Sequence, residues 1–204
     1  MTRRELIQKT TMALGYSISA PTLMGILNGC YIKHELTYKP VFFNEGQALL
    51  IAELAEIILP RTKTPGAKDV GVPAFIDSFI REVYPKPVQE KFLKDLEAFS
   101  KATINKHARL FMECTPDLQK LYVHQVHQEE MKKQSTSVSE GWWSEGWWNN
   151  NKAERPFFLK VKELTILGFF TSQQGATQVL QYNPAPGPYQ GCVPLASVGK
   201  AWAT

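Results

Sequence analysis

Apolar residues recur at helical spacing along most of this chain, and this pattern constrains the fold more than any other feature. In residues 45–60, EGQALLIAELAEIILP, they fall on one helical face, and Asn44 and Gln47 form a capping-box pair before it. Similar spacing predicts further helices at about 73–84, 88–113, 115–133 and 157–170. No segment alternates apolar and polar residues between hairpin turns. We therefore predict an all-α fold, one mainly helical domain with an irregular Pro/Gly-rich C-terminal tail.

Composition and charge exclude several classes of function. The chain has 204 residues, 44% of them hydrophobic and 21% charged, which is typical of a soluble protein. Its net charge is +4, and residues 1–30 contribute +2 of that through three basic residues and one acidic residue. A charge this small argues against nucleic acid as a partner, because such binding needs a clustered basic face.

The first thirty residues look like an export signal. Arg3 and Arg4, followed by a polar residue, two apolar residues and a moderately apolar stretch, resemble a twin-arginine leader. We predict a leader at 1–30, a helical domain at 31–204, and a location in the periplasm or on the periplasmic side of the membrane. The alternative is an amphipathic N-terminal helix that stays in the protein.

The end of this leader offers a site for lipid attachment. Residues 27–30, Leu-Asn-Gly-Cys, resemble a lipobox, in which Cys30 would become the lipidated first residue. The alternative is a leader that is cut elsewhere or retained, with Cys30 an incidental thiol. Membrane association is therefore expected only through the leader, the lipid or a partner.

Several short motifs occur in an order that resembles a known family. They are Ile58-Leu59-Pro60, Thr64-Pro65-Gly66-Ala67, Val70-Gly71-Val72, Phe75-Ile76-Asp77, and later LTILGFFT at 164–171 and PGPYQGC at 186–192. Together they resemble the gluconate 2-dehydrogenase subunit 3 family, the small subunits of membrane-associated sugar and polyol dehydrogenases. The resemblance implies a helical subunit with no cofactor of its own.

The same resemblance implies which proteins this chain would bind and which subunit would be catalytic. The partner would be a large flavoprotein of the glucose–methanol–choline (GMC) type that binds FAD and forms a heterodimer with this chain. A cytochrome c often serves such complexes as electron acceptor. Members of the family commonly carry the twin-arginine leader on behalf of the catalytic subunit.

The best-matched stretch, from Ile58 to Ala67, is a candidate docking loop. Pro65 and Gly66 are its predicted contacts with a partner. The alternative is a helix stop followed by a tight turn, because proline and glycine have local backbone roles there.

Cys192 lies in the Pro/Gly-rich tail, a setting suited to a covalent tether. An interchain disulfide at Cys192 is the first interpretation, since an exported protein meets an oxidising compartment. The alternatives are a Cys114–Cys192 bond or a free thiol, and Cys114 resembles a small buried hydrophobe at a helix end.

A doubled phrase, EGWWSEGWW at 140–148, places four tryptophans in a polar segment: Trp142, Trp143, Trp147 and Trp148. An exposed apolar patch of this kind usually marks an interface, and tryptophan is a common interface anchor. The alternatives are a surface for stacking carbohydrate and a flap packed on the protein itself.

Catalytic and metal sites find little support in the sequence. There is no G-x-G-x-x-G, G-x-S-x-G or P-loop motif, so we expect no catalytic residues. His124 and His127 share a helix face, but two histidines on a charged helix fall short of a four-ligand metal site, so no metal is expected. Glu53, Glu56 and Asp77 are expected on solvated helix faces.

These observations predict a non-catalytic accessory subunit that stabilises an exported flavin-dependent sugar or glycoside dehydrogenase and supplies its export signal. The alternative is a free-standing exported lipoprotein that binds carbohydrate through its tryptophans.

Overall fold

A computed structural model describes residues 36–135, 155–181, 187–188 and 191–203, which all belong to one compact unit. The predicted leader with Arg3, Arg4 and Cys30 lies outside the described residues, and so do the four tryptophans of residues 140–148.

The described residues are helical and contain no β-strand, which confirms the predicted all-α class. The main helices are α1 (Glu45–Ile58), α2 (Val72–Val83), α3 (Lys86–His107), α4 (Pro116–Ser135) and α5 (Phe157–Phe170). Three short elements complete the description: a 3-10 turn at Phe111–Glu113, a π-helical turn at Gly175–Val179 and α6 at Leu195–Val198. No helix in the described part of the chain is long and apolar enough to span a membrane.

The predicted capping box at the start of α1 is confirmed. The Asn44 side chain accepts the Gln47 N–H at 2.9 Å, and the Gln47 side chain accepts the Asn44 N–H at 3.1 Å. Each bond satisfies a backbone donor that a helix N-terminus leaves free.

The third helix is shorter than predicted, because it ends at His107 and not at residue 113. Ala108 adopts a left-handed conformation with φ of 54°, and its N–H donates to the Ile104 carbonyl. The chain then turns so that Phe111 enters the core, only 3% exposed, while Leu110 stays half exposed. The apolar spacing through residue 111 therefore reflects a buried turn and not a continuing helix.

Helix α5 lies at the centre of the bundle and packs against α1, α2, α3 and α4. Two rings of α3 pack against its first residue, with Phe92 and Phe99 at 5.2 and 5.8 Å from Phe157 between ring centroids. Farther along, a Cβ at Gly168 would lie 2.5 Å from Cδ1 of Phe75, so the glycine allows α2 to approach closely. The apolar helix α5 is thus the element around which the others assemble.

The chain before α1 is held by a buried carboxylate. Asp77 on α2 is fully buried and accepts the backbone N–H groups of Val41, Phe42 and Phe43 at 2.6, 3.1 and 2.8 Å. The prediction of a solvated helix face is therefore wrong for Asp77. Asp77 itself is buried, so its charge needs hydrogen-bond donors, and these three backbone N–H groups supply them.

Tyr38 lies in the same lead-in and is also fixed to α2. Its hydroxyl donates to the Pro73 carbonyl at 3.2 Å. Burial raises the pKa of Tyr38 well above its usual range, and the charge of Asp77 raises it further, so the hydroxyl stays protonated.

Candidate docking surface

The loop between α1 and α2, residues 59–71, is organised by two carboxylates. Glu56 at the end of α1 accepts the N–H of Arg61 at 2.9 Å and that of Lys68 at 3.0 Å. Asp69 accepts the N–H of Gly66 at 2.8 Å and the Nε–H of Arg61 at 2.8 Å. Charge-assisted bonds of this kind are stronger than neutral ones, so they fix the loop backbone.

Glycine is required at position 66 by the closeness of this network. A Cβ there would lie 2.5 Å from Oε1 of Glu56 and 2.7 Å from the backbone nitrogen of Arg61. Gly66 is buried, and the next residue, Ala67, is also buried and donates its N–H to the Leu59 carbonyl at 2.9 Å. The structure therefore places Gly66 inside the loop and leaves Pro65 half-buried.

The tip of the loop, residues 60–63, is exposed. The base of the loop is tied to α1 by a further ion pair, with Lys68 Nζ 2.5 Å from Oε2 of Glu53. The loop therefore presents exposed side chains from a fixed backbone, which is the arrangement expected of a docking element.

A surface cleft of about 390 Å³ opens beside this loop, where α4 and α5 meet the end of α1. Four lining residues are apolar and four are basic: Ile57, Ile58, Val123 and Phe158, and Lys120, His124, His127 and Lys162. We call it the α4–α5 cleft. Its apolar floor and basic rim would suit a ligand with an apolar part and a negative charge.

The two histidines predicted to share a face do so, and both line the cleft. Nε2 of His127 lies 3.1 Å from Nζ of Lys162, and Nε2 of His124 lies 2.8 Å from Nε2 of Gln128. Burial lowers the pKa of His127, and the charges of Lys162 and His124 lower it further. The His127 imidazole is therefore neutral near pH 7, and its Nε2 accepts a hydrogen bond from the ammonium of Lys162.

A nearby glutamate, Glu130, has a structural role. Glu130 accepts the N–H groups of Phe158 and Leu159 at 3.2 and 3.0 Å, so it caps α5 from a neighbouring helix. Burial raises the pKa of Glu130, partly offset by those two bonds. Within the described ranges, no group of three or more His, Cys, Asp or Glu side chains is placed to hold a metal.

The two described cysteines differ in exposure. Cys114 is buried, its thiol donates to the Leu110 carbonyl at 3.4 Å, and burial raises its pKa. Cys192 is exposed. Both are free thiols, so the Cys114–Cys192 bond is not formed. Cys192 is accessible to a partner, and its interchain bond stays a prediction.

Sequence reasoning missed the carboxylates that fix the loop and the lysines of the cleft. Glu56 and Asp69 gave no signal, because their bonds depend on how the loop folds back on α1. The cleft face of α4 had one: Lys120, Val123 and His127 recur at helical spacing. If these three residues had been interpreted as one helix face, Lys120 and His127 would have been predicted to lie beside the apolar Val123.

Most of this chain matches a known protein family. No significant match is found among curated proteins or among solved structures. The model of the family described as "Gluconate 2-dehydrogenase subunit 3" matches residues 45–187, a range that includes the loop, the cleft and the five main helices. Since this match covers more than half of the sequence, the chain belongs to the gluconate 2-dehydrogenase subunit 3 family.

Proposed function

We propose that this chain is the non-catalytic small subunit of an exported FAD-dependent sugar or glycoside dehydrogenase. The observation that carries the proposal is the family match over residues 45–187. The family is named for a subunit of a multi-subunit dehydrogenase, which implies a partner for this chain. The large partner would be a flavoprotein of the GMC type that binds FAD, with a cytochrome c as a further component.

The geometry supports a binding role. The loop at 59–71 is fixed by Glu56 and Asp69 before any partner arrives, so little backbone entropy would be lost on association. Its exposed tip begins two residues after Ile58, which lines the α4–α5 cleft. A partner that contacts the tip therefore has a concave surface within reach.

The role in export rests on the sequence. Arg3 and Arg4 would direct the chain to the twin-arginine route, which generally carries cargo that is already folded. The flavoprotein would cross the membrane bound to this subunit and work on the periplasmic side. Cys30 as a lipid anchor and Cys192 as an interchain disulfide would hold the complex in place.

Co-purification from the source organism tests this proposal. The chain would carry a C-terminal tag, and its partners would be identified by mass spectrometry and by flavin absorbance. We expect a stoichiometric flavoprotein about two to three times the mass of this chain, as its family resemblance implies. Replacing Arg3 and Arg4 with lysines should leave both proteins in the cytoplasm.

A chain that purifies alone and monomeric, without flavin, would contradict the proposal. Glycan binding would then be measured, with variants of Trp142, Trp143, Trp147 and Trp148, because the free-standing carbohydrate-binding protein is the competing hypothesis.

A further inference from the structure

We propose that the α4–α5 cleft binds an acidic segment of the partner subunit, one that carries a carboxylate beside a bulky apolar side chain. This inference rests on the proposed function, since it needs a partner, and it assigns the chemistry of that partner's contact.

The charges of the cleft are the first argument. Its lining includes two lysines and two histidines and no carboxylate. Among the described residues, no acid forms an ion pair with Lys120 or Lys162. Glu130 lies on α4 but accepts backbone N–H groups of α5. A carboxylate from outside would therefore complement positive charge that the fold leaves uncompensated.

The position of Lys162 strengthens this argument. Its ammonium lies 3.1 Å from the imidazole of His127, whose pKa is lowered mainly by burial and further by this charge. A neutral imidazole can only share the charge through one hydrogen bond, so the ammonium keeps donors for an anion.

The floor of the cleft supplies the apolar half of the recognition. Val123 and Phe158 are buried beneath the basic rim, and Ile57 and Ile58 are half-buried at one end. A volume of about 390 Å³ falls within the range of ligand sites in proteins, and it suits one or two side chains. An inorganic anion would leave this floor uncovered, whereas an acidic residue next to an apolar one would meet both surfaces.

The first experiment uses the purified full chain and a small probe with the same chemistry. Indole-3-acetate is titrated while the imidazole signals of His124 and His127 are followed by NMR, and indole-3-acetamide serves as the uncharged control. We expect saturable shifts with the acid and at least about tenfold weaker binding of the amide. Equal binding of the two, or no saturable shift, would overturn the carboxylate assignment.

Charge reversal at the cleft provides the matched variants. Lys120→Glu with Lys162→Glu should lose the shifts with indole-3-acetate. The control is Lys94→Glu with Lys101→Glu, which makes the same change of net charge on exposed positions of α3, outside the cleft lining. Equal loss in the control pair would mean that net charge, and not the cleft, governs binding.

The second experiment repeats the co-purification with these two double variants. We expect the cleft variant to recover about tenfold less flavoprotein than wild type and the control pair to recover the wild-type amount. Full recovery with the cleft variant would overturn the cleft proposal and leave the proposed function standing. If the wild type recovers no flavoprotein, the proposed function fails, and binding of indole-3-acetate would then show a carboxylate site whose occupant is not a partner subunit.

A photo-crosslinking residue at His124 identifies the occupant. A cross-link to an acidic segment of the partner subunit supports the proposal. A cross-link to residues 136–154 of this chain would overturn it, because the cleft would then hold the chain's own acidic, tryptophan-containing segment.

Discussion

The loop at 59–71 and the C-terminal residues 191–203 both contain proline and glycine, yet the structure treats them differently. The loop buries Gly66 and Ala67 and is bonded to Glu56 and Asp69. The C-terminal residues whose side chains are described are all exposed or half-buried. They are attached through Gln181, which exchanges backbone bonds of 2.8 Å with Ala201 and Ala203.

The difference shows what makes an irregular segment rigid in this protein. The loop has carboxylates at its base that accept several backbone N–H groups, and the lead-in before α1 has one in Asp77. The C-terminal residues are held by a neutral amide, since the Gln181 side chain donates to the carbonyls of Val198 and Lys200. Charged acceptors hold a backbone more firmly than neutral donors do.

The largest effect is expected from Asp77→Ala, which would break the strongest of these anchors. Three backbone N–H groups would lose their acceptor, two of them at distances below 3.0 Å. We expect a loss of about 3 kcal/mol or more in the free energy of unfolding, measured by denaturant titration. Asp77→Asn, which keeps one acceptor oxygen, should lose less.

The control for that variant is Asp95→Ala on α3. Asp95 forms an i,i+4 pair with Lys91 at 3.4 Å, a bond of the kind that contributes about 0.5 kcal/mol. Equal losses for Asp77→Ala and Asp95→Ala would show that Asp77 does not act as an anchor.

Gly66→Ala tests the loop itself and should have the next largest effect. The new Cβ would clash with the Arg61 nitrogen, a backbone atom that cannot move without opening the loop. We expect the free energy of unfolding, measured by thermal denaturation, to fall by about 2 kcal/mol. Gly46→Ala is the matched control, because its Cβ would meet only Oδ1 of Asn44 at 3.6 Å and alanine favours the helix, so that variant should gain stability. A gain in both variants would contradict the role assigned to Gly66.

The effect of burial on Glu130 can be measured from the free energy of unfolding at a series of pH values. Burial raises the pKa of Glu130 above its ordinary value of 4.5, so the native state holds this proton to higher pH than the unfolded chain. Between the two pKa values the native state binds more protons, and stability falls as the pH rises through that window.

Glu130→Gln removes this titration and keeps an acceptor for Phe158 and Leu159. We expect its unfolding free energy to fall less than that of wild type as the pH rises from about 4.5. Glu97→Gln, at an exposed position of α3, is the control and should follow the wild-type profile. Parallel profiles for wild type and Glu130→Gln would refute the prediction.

The smallest effect on stability is expected from Cys192→Ser in the exposed C-terminal residues. Substitution of an exposed side chain should change the unfolding free energy by less than about 0.5 kcal/mol. The same variant should abolish any interchain species on a non-reducing gel of the co-purified complex. Cys114→Ser should retain that species and lose about 1 kcal/mol, because it buries a hydroxyl.

Local features of the fold were predictable from the sequence. The capping box of Asn44 and Gln47 and the start of α4 at Pro116 depend on residues three or four apart, so the printed sequence contains all the partners involved. The family was predictable from the order of its motifs, and the match over 45–187 confirms it.

The prediction of a helix up to residue 113 was wrong for a tertiary reason. Phe111 packs against Phe99 and Tyr122, with ring centroids 5.5 and 6.4 Å apart, and this packing favours a turn over another helical turn. The spacing of apolar residues shows that Phe111 is suited to the core. It does not show on which side of the chain the core lies.

The sequence by itself determined the helical class, most helix starts and the family, because periodicity, capping residues and motif order are properties of neighbouring residues. Only the tertiary structure decided the roles of the charged residues. Asp77 is buried because its three donors come from residues 34 to 36 positions earlier, and the cleft is basic because α4 and α5 bring Lys120 and Lys162 to one surface. Whether a charged side chain is solvated, anchors backbone or binds a partner depends on which distant residues the fold brings near it.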